Sequence, residues 1–144
     1  MSDLKGTSIS TFGRRGEFNY PVDIFIDRDG DVYVSDTMNF KIRIFDKKGS
    51  LLSTFGRHGD GTGDFGRPKG VAVDRDGNIY VADALFDTVQ IFDRNGRFLL
   101  NFGALGRDAG AFWMPTGLFI DNGDNIYIAD SYNMRVQVFE YHGN

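Results

Sequence analysis

The sequence predicts an all-β fold: a β-propeller with three four-stranded blades' worth of chain. Three observations carry this reading. Pro21, Pro68 and Pro115 stand at equal intervals of 47 residues. Short alternating or β-branched apolar runs recur at the same interval between turn residues, and no stretch sustains a helical period. Glycine is abundant, 19 against 3 prolines in 144 residues, which fits many tight turns better than a flexible linker. Four short strands in roughly 45 residues with no helix is the pattern of a propeller blade.

Many positions keep the interval. They include Asp27, Asp74 and Asp121; Tyr33, Tyr80 and Tyr127; Asp36, Asp83 and Asp130; and Phe45, Phe92 and Phe139. The middle unit shows the strands most plainly: Gly70–Asp74, Asn78–Asp83, Thr88–Asp93 and Arg97–Phe102. Asp76-Gly77 and Asn95-Gly96 are hairpin-turn signals between them. The expected organisation is an orphan fourth strand at Thr7–Phe12, a first blade over 21–55, a second over 68–102, and three strands of a third over 115–140. Nine of the 14 phenylalanines fall on repeat positions and are expected to pack within and between blades.

Composition excludes several classes. No apolar run approaches the ~18–20 residues of a membrane helix, so no membrane partner is expected. Without Cys there are no disulfides, thiolate zinc sites or cysteine nucleophiles. That absence, with no signal-like segment near Met1, fits a cytoplasmic protein. A net charge of −4 argues against RNA as the main partner.

The run Pro68-Lys69-Gly70-Val71-Ala72-Val73-Asp74, then Gly77-Asn78-Ile79-Tyr80-Val81-Ala82-Asp83, then Val89-Gln90-Ile91-Phe92-Asp93 resembles the NHL repeat. Asn125–Ser131 and Asn133–Phe139 match it again in the third unit. The resemblance implies a six-bladed propeller that binds protein or RNA, with some enzymes among its relatives. The family's Asn and Arg after the second strand appear as Asn133 and Arg135, and as Asn39 with Lys41. Phe86 and Thr88 stand there in the middle unit.

Both ends of the sequence align with the turn between the third and fourth strands of a blade. Three blades do not close a ring, and an open arc exposes two apolar faces and one sheet edge. Two copies would supply six blades, each orphan strand completing the other copy's last blade. The expectation is a six-bladed homodimer with strand exchange. The alternative is an engineered or truncated half of a longer propeller.

Candidate chemistry is sparse. The Asp-rich turns at 27–31 and 74–78 lack the span and closing Glu of an EF-hand loop. The glycine-rich stretch 59–66 lacks the Lys and the helix of a phosphate loop. His58 and His142 have no motif partner. Enzymatic relatives are implied to hold a metal on the inner strands, where this chain offers only Asp23. No cofactor, no metal and no catalytic residue is expected, and the chain reads as a non-enzymatic scaffold or a platform for protein or peptide. The candidate surface is the loop-rich face, with Arg14, Arg15, Tyr20, Arg57, Arg67, Lys69, Arg107, Trp113 and Met114. Basic and acidic residues balance there, and the acidic excess falls on the opposite face. Single-stranded RNA on that loop-rich face is one alternative function. A metal-dependent lactonase or lyase in the channel is another.

Overall fold

A computed structural model describes residues 6, 10–13 and 16–142. Its strands form three antiparallel sheets, each a simple meander. The first holds β1 (Pro21–Ile26), β2 (Val32–Asp36), β3 (Lys41–Phe45) and β4 (Leu51–Phe55). The second holds β5 (Pro68–Val73), β6 (Ile79–Asp83), β7 (Thr88–Phe92) and β8 (Phe98–Phe102). The third holds β9 (Pro115–Ile120), β10 (Asn125–Asp130) and β11 (Arg135–Glu140). Short 3-10 turns follow β2 and β10. Strand β1 lies against β5, and β5 against β9, so the first strand of each sheet is its innermost.

The turn after each innermost strand is held by an aspartate. Asp27 Oδ1 accepts from the Asp29 and Asp31 amides, and the Tyr33 hydroxyl donates to Asp27 Oδ2 at 3.0 Å. Asp74 with Tyr80, and Asp121 with Tyr127, repeat the arrangement. Burial and the adjacent aspartate push the Tyr33 and Tyr80 hydroxyls far above the ordinary phenol range. Gly30 and Gly77 take the left-handed position of these turns, at φ 87° and 86°. In the third sheet Asp124 sits there at φ 61°, because Gly123 comes one residue too early. Its carboxylate reaches back to Arg75 of the second sheet.

The core lies between sheets. One layer joins Tyr33, Ile42 and Ile44 to Val71, Val73, Ile79 and Val81. The next joins Tyr80, Val89 and Ile91 to Leu118, Ile120, Ile126 and Ile128. Phenylalanine trios close the outer end of each layer. Phe55 and Phe65 lie 4.8 and 5.6 Å from Phe92, and Phe102 and Phe112 lie 5.2 and 5.7 Å from Phe139. Of the expected orphan strand, residues 7–9 lie outside the described residues. Ser10, Thr11 and Phe12 are not in a strand.

Candidate functional site

The two ends of the blade stack are built like its interior but are uncovered. Val71 and Val73 are 0% and 6% exposed, while their counterparts on β1, Ile24 and Ile26, are 59% and 58% exposed. At the other end Val136 and Val138 of β11 are 64% and 54% exposed, while Val89 and Ile91 on β7 are fully buried. Phe119 is exposed where Ala72 is buried. A half-built layer of Val32, Val34 and Phe45 lies on the first face, with Phe12 and Phe18 against it. The outer edge of β11 has no strand partner among the described residues.

Polar staples join neighbouring sheets near the inner strands. The Ser35 hydroxyl donates to Lys69 O, and that of Thr37 to Pro68 O. Asp23 Oδ2 accepts from the Val71 amide at 3.1 Å. Burial raises the Asp23 carboxyl above its ordinary value, and the Val71 amide offsets part of this. Asp23 is therefore a staple between blades. Gly70 and Gly117 hold the matching inner positions in the other sheets. Among the described residues no three His, Asp or Glu side chains converge as metal ligands. The inner strands of one chain do not fit a divalent cation.

A buried aspartate closes β2, β6 and β10. Asp36 accepts from Asn19 N, Asn39 Nδ2 and Arg43 Nε, and Asp130 from Trp113 N, Asn133 Nδ2 and Arg135 Nε. Burial raises the Asp130 carboxyl, but these donors outweigh it and leave it below the usual range. Asp83 is served instead by the backbone amides of Gly66, Arg67, Leu85 and Phe86. The middle blade has no cation at this carboxylate because Thr88 and Gln90 stand where the third blade has Arg135 and the first has Arg43.

The candidate loop-rich residues separate into small groups. Arg107 lies 5.9 Å over the Trp113 ring, and Tyr132 meets Trp113 edge-on at 5.4 Å. Arg57 Nε donates to Asp64 at 2.8 Å, and this bond pulls the Asp64 carboxyl below the usual range. Arg67 reaches the Met38 sulfur at 3.2 Å. Lys69 is half-buried, and its carbonyl takes the Ser35 bond. Tyr20 is exposed, and Met114 donates its amide to Asp87. Arg14 and Arg15 lie outside the described residues.

The sequence profile described as SMP-30/gluconolactonase/LRE-like region matches residues 18–104, and the NHL repeat matches residues 112–139. The chain belongs to the SMP-30/gluconolactonase/LRE-like family. Its fold is that of β-propeller proteins of the NHL and gluconolactonase type. Hydrazine synthase from Kuenenia stuttgartiensis is 20% identical with a TM-score of 0.66, over 96% of this chain and 36% of that one. Virginiamycin B lyase from Staphylococcus aureus is 13% identical with a TM-score of 0.58, over 87% and 42%. The calcium-binding protein regucalcin from Agrobacterium tumefaciens is 20% identical with a TM-score of 0.57, over 78% and 38%. The chain thus spans well under half the length of these structures. Comparison with curated proteins gave no match. The expectation of a chain that is not an enzyme is corrected by these kinships. The gluconolactonase-like family and the lyase and regucalcin neighbours point to enzyme-related homologues, at low identity. Residue spacing missed this because the enzymatic character of relatives is not carried by the repeat pattern.

Proposed function

We propose that this chain is a self-assembling half of a six-bladed propeller, closing as a two-copy ring that presents its loop-rich face as a binding platform for protein or peptide. The observation that supports this is the match between the two open faces. Each carries one half of the layer already packed between neighbouring blades, so Ile24 and Ile26 of one copy suit Val136, Val138 and Phe119 of the other. A two-fold axis makes both seams alike.

Strand exchange is part of the proposal. Phe55, at the end of β4, reaches into the next blade to touch Phe92. Phe12 touches Phe45 in the same way, at 5.6 Å. By this parallel Phe12 takes the place of the residue that ends a fourth strand, and the blade so completed is, in the ring, the other copy's third.

Magnitudes decide what sets the affinity. Ten half-exposed large side chains over two seams contribute on the order of 10 kcal/mol. Association costs about 4–15 kcal/mol. Apolar burial alone is therefore near break-even, and the strand pairing along β11 tips the balance.

The test is mass in solution by light scattering at micromolar concentration. Twice the 16.1 kDa chain mass is expected. A monomer overturns the proposal.

A further inference from the structure

We infer that the second blade carries a receptor for a guanidinium group on the loop-rich face, at a position that the first and third blades fill with cations of their own. In the first blade Lys41 Nζ donates to Gly56 O at 3.2 Å. In the third, Arg135 Nη2 donates to Asp108 O at 2.9 Å and to Ala111 O at 3.0 Å. The residue in register in the second blade is Thr88. Its hydroxyl bonds Phe102 O and Asn101 instead and stops short of the acceptors.

Residues in register with these acceptors are present. Gly103 corresponds to Gly56, and Gly61 and Asp64 correspond to Asp108 and Ala111. These three residues and Thr88 line one cavity of about 340 Å³. The Asp64 carbonyl accepts from Gln90 Nε2 at 2.8 Å. The Ala111 carbonyl accepts the same bond from Gln137 and still takes Arg135, because a carbonyl has two lone pairs. Asp64 O therefore retains acceptor capacity toward the cavity.

The walls suit a planar cation. Phe86, which replaces the family's Asn, offers an aromatic ring for cation–π contact, and Asp60 adds a carboxylate. Arg135 shows the donor pattern required, one guanidinium spanning two carbonyls three residues apart. The occupant is an alkylguanidinium, either a free small molecule or an arginine side chain of a peptide. The cavity is lined by β7, β8 and the loops on either side of the second blade, with no residue of either open face, so it does not depend on ring closure.

The experiment is an NMR titration of the intact chain with n-butylguanidinium, with neutral n-butylurea as control and an acetylated Gly-Arg-Gly amide as a second arm. Saturable shifts at the amides of Gly61, Asp64, Phe86 and Gly103 are expected, with the urea at least about tenfold weaker for want of charge-assisted bonds. Thr88→Arg, which places the chain's own cation in the cavity, should abolish the shifts. If that variant does not fold, the wild-type shift map decides. Peptide binding equal to that of the small molecule identifies an arginine-docking site, and binding of the small molecule alone identifies a metabolite site. No saturable shift, shifts spread along the acidic face, or equal binding of the urea overturns the inference.

Discussion

The Phe12 ring lies 5.6 Å from the Phe45 ring, in the place that Phe55 takes on Phe92 and Phe102 takes on Phe139. A residue with no strand around it is thus anchored by the aromatic contact that joins true neighbouring blades. Phe45 is almost completely buried. Phe45→Ala is expected to cost about 3–5 kcal/mol through the cavity it leaves. Phe12→Ala should cost less, and the double variant should cost less than the sum, because both remove one contact. Urea unfolding of the three variants measures this.

The open faces predict a complementation result. Ile24→Lys and Val136→Glu each place a charge in a seam, and each variant alone should run as a monomer, since an unpaired buried charge costs several kcal/mol. Mixed together, the two variants restore one apolar seam and pair Lys with Glu at the other. A dimer that appears only in the mixture is expected in native mass spectrometry. Unchanged dimers of the single variants would show that these faces are not the interface.

The buried aspartates predict a contrast between ion pairs. Arg43 is mostly covered and faces the fully buried Asp36 at 2.7 Å, so Arg43→Met leaves a buried carboxylate without its cation. The expected loss is about 3–5 kcal/mol. Arg97 pairs with Asp93 at the surface, and Arg97→Met should change stability by less than about 1 kcal/mol. Thermal melts of the two variants report the difference.

Much of this architecture is legible in the residues alone. The proline interval and the phenylalanine trios mark the blade layers because the same contact recurs at the same spacing. Asp124 hides its left-handed position because Gly123, one residue away, looks like the turn glycine. Asp23 reads as a lone channel carboxylate, but its role depends on the Val71 amide, 48 residues away, which no local pattern brings near. The loss of Asn and Arg at Phe86 and Thr88 is visible in the sequence. The cavity it leaves needs three carbonyl-bearing residues from the two loops flanking the second blade, which only the fold assembles.

Asp23 carries the pH prediction. Burial raises its carboxyl above the ordinary value in the folded chain, so ionisation opposes folding. For an acid raised in this way the penalty is fully present above the folded value. It fades as pH falls and is gone below the unfolded value of about 3.9, where both states are protonated. Asp23→Asn keeps an oxygen for the Val71 amide and removes the charge. The variant should melt higher than the parent at pH 7, and the two should converge toward pH 3.5. Melting curves across that range test it. A variant that melts lower at pH 7 would show that the charged bond to Val71 outweighs the cost of burial.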